Sequence, residues 1–221
     1  DLSLKAKTPV PSFYVSGKLP AKQAQGACSS TVAWLSMDET SGNITVPAGC
    51  LGATTSLVAA GNPTYANSTA EISGLGTAIT FDGTGDEFAT AGDVAAFDPL
   101  TSAMVVDGFV RHDGTVGVTR QGVVGKFNGG NLGWFIDSGS GGPRFWINNN
   151  STACDATDAT PLVSGTWYYI RATWNGTNSC TFTVGGRATV TTAQAVGSID
   201  NTSVVTVGSR SAGTLLFTGA I

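Results

Sequence analysis

The 221-residue sequence predicts an all-β protein, a two-sheet antiparallel sandwich preceded by an extended N-terminal arm. Three observations carry that expectation. The composition is 41% hydrophobic but only 12% charged, with 30 glycines; about 25% charged residues is usual for a domain. Such a neutral chain, rich in Gly, Ser, Thr and Asn, suits short strands joined by polar turns and not long helices. The length fits one large unit, because all-β domains run to roughly 200–250 residues. Residues 162–186 (LVSGTWYYIRATWNGTNSCTFTVGG) then read as a central hairpin. Its first run, Trp167 to Trp174, is aromatic and β-branched, as a buried pleated surface requires. Alternation puts Tyr168, Ile170, Ala172 and Trp174 on one face, and Trp167, Tyr169, Arg171 and Thr173 on the other. Asn175-Gly176 supplies the turn, and Cys180 to Val184 alternates back.

The other elements follow in order. Residues 1–27 form the arm, in which Pro9, Pro11 and Pro20 exclude helix and Phe13-Tyr14-Val15 makes an apolar island. The sandwich occupies 28–221. Residues 31–37 read as a strand, 38–43 (DETSGN) as a turn and 44–70 as loop without a period. Residues 76–90 hold two short strands. Ala103 to Arg111 is a buried strand, 121–137 a hairpin across Asn128-Gly129-Gly130, and 144–148 another strand. A polar loop runs to 161, and 203–208 is a late strand. The one helical turn falls near 92–97. Ten or more short strands at this spacing describe a sandwich or a barrel.

Charge and cysteines bound the function. The arm carries Lys5, Lys7, Lys18 and Lys22 against Asp1, a net +3; residues 28–221 carry seven Arg/Lys against fourteen Asp/Glu, a net −7. An acidic body argues against a nucleic-acid partner. No apolar run reaches the ~18 residues of a membrane span. A chain that starts at Asp1 without Met is consistent with a removed leader. Cys28, Cys50, Cys154 and Cys180 show no C-x-x-C spacing, which disfavours zinc. Their even number suggests two disulfides in an oxidising, extracellular or surface-displayed setting. Four cysteines allow three connectivities, of which Cys28–Cys50 with Cys154–Cys180 joins the partners closest in sequence.

Five segments, in order, resemble the concanavalin A-like lectin/glucanase superfamily, in particular its laminin G-like jelly-roll branch. They are GTAITFDGTGDEF (76–88), VVGKFNGGNLGWFI (123–136), GTWYYIRATWNG (165–176), FTVGG (182–186) and TVGSRSAGTLLFTGAI (206–221). The resemblance implies a jelly-roll sandwich that recognises a glycan or a protein. In that family the Phe-x-Gly-x-Ile segment is followed by an Asp and a final strand, whereas this sequence stops at Ile221, so either it is cut short there or the final strand comes from elsewhere. An edge left open there invites a neighbouring segment, so residues 1–27 and an open sheet edge are expected to contact neighbouring subunits, as on a virion surface or a filament.

Enzymatic chemistry is not expected. Glycosidases of this fold place paired carboxylates on one strand, but Glu39, Glu71 and Glu87 are the only glutamates and none sits in such a pattern. Asp86-Glu87 are expected as solvated turn residues and His112 as an exposed turn histidine. The resemblance implies a structural calcium ion, for which Asp38, Gly42 and Asn43 supply hard oxygen ligands. For a sugar, a tryptophan platform with amide neighbours is the expected element, placed at Trp134 and at Trp146 with Asn148. Sequons stand at Asn43, Asn67, Asn149, Asn150, Asn175 and Asn201.

Overall fold

The computed structural model describes residues 12–15, 31–35, 41–46, 55–66, 78–114 and 120–221. Two β-sheets face each other across one core. The first sheet runs β15 (Val190–Ala193), β14 (Ser179–Val184), β13 (Trp167–Trp174), β8 (Met104–His112), β17 (Thr218–Ala220), β6 (Ala78–Asp82), β5 (Thr64–Ala66). Two more strands join it, since β1 (Ser12–Val15) pairs with β8 and β2 (Thr31–Leu35) pairs with β1. The second sheet runs β12 (Ala153–Thr157), β11 (Arg144–Asn149), β10 (Leu132–Ser138), β9 (Gln121–Phe127), β16 (Val205–Val207), β7 (Glu87–Thr90), β4 (Thr55–Ala60), β3 (Ile44–Val46). The pairings are antiparallel except those of β1, which is parallel to both β2 and β8. This is the all-β jelly-roll sandwich of the expectation, and its one helical turn, Ala95–Phe97, falls where the sequence put it.

Alternation explains the core. In β13, Ile170, Ala172 and Trp174 are buried inward, while Arg171 is exposed on the opposite face. Phe81, Phe88, Trp134, Phe145, Trp174, Phe182 and Phe217 fill the space between the sheets, each at most 1% exposed. The β13–β14 turn pairs Trp174 with Cys180. Asn175 Oδ1 accepts the N–H groups of Thr177, Asn178 and Ser179. Gly176 has φ +86°, and a Cβ there would lie 2.6 Å from Thr101 O, so no other residue fits.

Cys154 on β12 and Cys180 on β14 form a disulfide, so the bond joins the two sheets. Thr192 Oγ1 on β15 donates to Asp155 O on β12 beside it, 2.7 Å away, closing the sandwich along that edge. Cys28 and Cys50 lie outside the described residues, as do most of the arm, Asp38 and Asn67.

Several expectations are corrected. Residues 44–66 are not all loop but supply β3, β4 and β5. The polar stretch to 161 contains β12, whose inward residues are only Cys154 and Ala156. Asp86 and Glu87 are 2% and 7% exposed, not solvated. Asp86 accepts the backbone N–H groups of Asn62 and Asp82, and Glu87 accepts Ser209 Oγ and Gly213 N. His112 is 1% exposed, hydrogen-bonded through Nε2 to Gln121 Oε1 at 2.9 Å and set edge-on to Phe217. Burial holds its pKa below the ordinary histidine value, against the opposing pull of Gln121 and Asp113.

The Lys-containing hairpin has a structural use. Lys126 is fully buried, with Nζ 2.8 Å from Asp93 Oδ1, 2.6 Å from Asn201 O, and bonded to Asp98 Oδ2. One inward lysine thereby ties two loops to β9. A buried charge is tolerable only when it is paired and hydrogen-bonded in this way.

Candidate functional site

Residues directly opposite on antiparallel strands share a face. In β10, Trp134 and Ile136 enter the core, so Gly133, Phe135 and Asp137 face away from it. The register then sets the rest of that outer face: Gly125 and Phe127 from β9, Arg144, Trp146 and Asn148 from β11, Asp155 from β12 and Thr206 from β16.

An aromatic cluster forms there. The half-buried Trp146 stacks on Phe135 at 4.9 Å with 19° between ring planes, and meets Phe127 edge-on at 5.3 Å. Glycine makes the close packing possible, since a Cβ on Gly125 would lie 2.8 Å from Phe135 Cβ. Guanidinium groups border the rings. Arg144 lies 5.2 Å from the Phe135 centroid; Arg210 lies 5.0 Å from Phe135 and 5.3 Å from Phe127.

Arg210 is carried on a loop pressed against this face. Gly122 N donates to Leu215 O, and a Cβ on Gly122 would be 2.0 Å from Arg210 N. Glu87, outward on β7, anchors the same loop through Ser209 and Gly213. Glu87, expected as a solvated turn residue, is therefore a support for the surface.

The charges are unequally matched. Asp137, with a fully buried side chain, accepts Arg144 through both oxygens at 3.0 and 3.1 Å, and Arg120 at 2.9 Å. Arg144 also reaches Asp155 at 3.0 Å. Arg210 has no hydrogen bond or ion pair from its side chain among the described residues, and its Nε is buried without a partner. Burial pulls its pKa below the ordinary arginine value; Asp137 opposes this, while Arg144 and Arg120 add to it. A guanidinium stays charged at neutral pH regardless.

The outer face of the first sheet differs. Phe109 packs on Tyr169 at 5.4 Å, and Asp107 accepts Tyr169 Oη at 2.7 Å and Arg171 at 3.3 Å. Burial raises the Asp107 pKa. Cation and carboxylate face each other there, with Asp107 Oδ1 buried and without a partner among the described residues.

The expected site residues fall into different places. Trp146 stands at the centre of the aromatic cluster. Asn148 is beside it but its Oδ1 accepts Asn150 N–H at 2.7 Å, so it shapes the turn. Trp134 is 1% exposed and its indole N–H donates to Phe97 O; it is core and offers no platform. Gly42 O accepts the Tyr65 hydroxyl and Asn43 Oδ1 accepts Ala59 N–H. Both of those oxygens are thus engaged within the protein, and the described residues contain no group of three or more His, Cys, Asp or Glu that could hold a metal. Of the sequons, Asn43, Asn150 and Asn175 are exposed and Asn149 is half-buried. Asn201 is 6% exposed with its amide nitrogen directed to Lys126 O, which leaves no room for a glycan. Arg120, Arg144 and Arg210 were not singled out in the sequence; three arginines at spacings of 24 and 66 residues carry no local signal.

No protein-family model matches the chain, and no curated protein matches it. Solved structures do match. The binding domain of Paraclostridial Mosquitocidal Protein 1 is similar with a TM-score of 0.63 at 14% identity, over 80% of this chain and 44% of that one. The binding domain of Botulinum Neurotoxin DC in complex with SialylT gives 0.55 at 13% identity, over 74% and 40%. Domain 4 of AbnA, a GH43 extracellular arabinanase from Geobacillus stearothermophilus in complex with arabinotriose, gives 0.53 at 12%, over 72% of each. At such identities the likeness shows the fold, a sandwich that is a binding domain in the two toxins. The chain spans less than half the length of the two toxin domains.

Proposed function

We propose that this chain is a non-catalytic glycan-binding module acting through the outer face of the second sheet. The observation that carries the reading is Trp146, half-buried and held flat against Phe135 beside two guanidinium groups. A fixed aromatic ring with polar groups at its rim suits a sugar, which has an apolar face and hydroxyls around its edge. The local carboxylates, Asp137 and Asp155, are both engaged by arginines, an arrangement that suits support of a surface and not proton transfer. The fold supports the reading as well, since matched domains were solved with SialylT and with arabinotriose. An inter-sheet disulfide supports an extracellular or surface-displayed setting. The test is a glycan array followed by calorimetry on the hits: Trp146→Ala should weaken binding at least tenfold while leaving the urea midpoint within the range of a surface change. Unchanged affinity in that variant would place the ligand elsewhere.

A second reading, a subunit of a larger assembly, is favoured by one feature. Ser12–Val15 pairs in parallel with β8 over Val105–Gly108, in line with β17, which pairs with β8 at Arg111 and His112. A strand that adds to this edge within one chain can add to the same edge of another. Light scattering on the intact chain and on a variant lacking residues 1–27 tests it, with a change in mass as the expected result.

A further inference from the structure

We propose that Arg210 anchors an anionic group, a carboxylate or a sulfate, on the saccharide seated against Trp146; the inference rests on the glycan-binding reading above and names the ligand class. Three guanidinium groups converge on this face, from Arg120, Arg144 and Arg210, against two carboxylates, from Asp137 and Asp155. Beside the rings the guanidinium groups thus outnumber the carboxylates on a body that is net −7, and the next carboxylate on this face, Glu87, is engaged by Ser209 and Gly213. The surplus is localised. Arg120 and Arg144 are satisfied by Asp137 and Asp155, whereas the Arg210 side chain has no hydrogen bond or ion pair among the described residues, and its Nε is buried without an acceptor. Leaving a buried donor unpaired is unfavourable, and no side-chain partner among the described residues offsets it at the half-buried Arg210.

Geometry selects the acceptor. The Arg210 guanidinium is set over Phe127 and Phe135, and its loop is fixed by Glu87 and by the Gly122–Leu215 hydrogen bond. A planar fork held in one orientation matches the two oxygens of a carboxylate or sulfate. Trp146 stacks on the same Phe135 ring, so one ligand can touch the indole with its apolar face and Arg210 with its charged group. A neutral sugar can offer Arg210 only hydroxyl oxygens, without the charge pairing that a carboxylate or sulfate adds. The bland explanation is that Arg210 merely covers the phenylalanine rings by cation–π contact. That role leaves affinity for charged and neutral sugars equal, and so it can be separated by experiment.

The experiment is titration calorimetry on the full chain with two matched pairs: a sialylated oligosaccharide and its desialylated form, and a sulfated disaccharide and its desulfated form. Wild type, Arg210→Met, Arg210→Lys and Trp146→Ala are compared after urea unfolding has shown each to be folded. At least one acidic form should bind ten times or more tighter than its neutral partner, with affinity falling as salt rises. Arg210→Met should erase that preference by weakening the acidic form at least ten times more than the neutral one, while Arg210→Lys keeps part of it; Trp146→Ala should weaken both forms. The pair that shows the preference identifies carboxylate or sulfate. Equal binding of both forms to wild type overturns this inference and leaves the glycan-binding module standing. A preference that survives Arg210→Met overturns it too, by locating the anion elsewhere. No binding of any of the four saccharides overturns both.

Discussion

The inter-sheet disulfide offers a sharp quantitative test. Cys154 and Cys180 are both 0% exposed and 26 residues apart in sequence. Closing a loop of that length removes unfolded-chain entropy equivalent to about 3.5 kcal/mol at 25 °C. Replacing both residues with alanine also deletes two buried sulfur atoms, which adds on the order of 1 kcal/mol of lost packing. The Cys154→Ala/Cys180→Ala variant should therefore lose about 4–5 kcal/mol, and its Tm should fall by roughly 8–20 °C for a domain of this length. Urea unfolding followed by tryptophan fluorescence reports it well, because buried Trp174 is the direct cross-strand partner of Cys180. The urea slope should steepen slightly, since the unlinked chain exposes more surface when unfolded. A loss below about 1.5 kcal/mol would refute the reasoning. It would mean that β12 and β14 are held by other contacts, or that the unfolded chain is already restricted in this loop.

Lys126→Met should cost about 3–5 kcal/mol, because it strands the buried Asp98 carboxylate and frees Asn201 O. Burial already raises the Asp98 pKa, with Lys126 opposing, so the deficit should shrink on acidification as Asp98 takes up a proton; a pH-independent deficit in urea titrations would contradict this. His112 is the only histidine, so its imidazole NMR signal is unambiguous. Its folded pKa lies below the unfolded 6.5, and the unfolded chain therefore binds the proton first. Its contribution to stability is complete above pH 6.5 and is lost as pH falls through the folded pKa; a signal titrating at or above 6.5 would overturn the assignment. Calcium at Asp38, Gly42 and Asn43 is a proposal for which calorimetry on metal-free protein should show heat that Asp38→Asn abolishes. No heat would end it.

Much of the architecture was legible in the chain. Strands with aromatic or β-branched residues on a period of two, such as β8 to β11, β13 and β14, announce themselves because burial on one face demands that pattern. Asn175-Gly176 was readable as a turn because the backbone conformation at Gly176 admits no side chain. The weaker strands were not readable. β12 buries only Cys154 and Ala156, and β15 (VTTA) has no fully buried residue, so neither carries an apolar signal. Those two strands pair because β11 and β14 present open edges to them, which is information held in other parts of the chain.

The candidate site divides the same way. Trp146 with its neighbouring asparagines could be picked out from residue type and local context. That Trp134 belongs to the core and Trp146 to the surface follows from strand parity, which requires the register of β10 to β11. The environments of Asp86, Glu87, His112 and Asn201 were misjudged because turn residues are normally solvated, and here long-range loops cover them. By itself the sequence determined the fold class, the principal hairpins and the amphipathic faces, since these follow from local periodicity and turn chemistry. Only the tertiary structure decided where Arg120, Arg144 and Arg210 meet and which of their side chains has no ion-pair partner among the described residues. Charge pairing depends on distance in space, and arginines 24 and 66 positions apart come within reach of one face only after the sheets have formed.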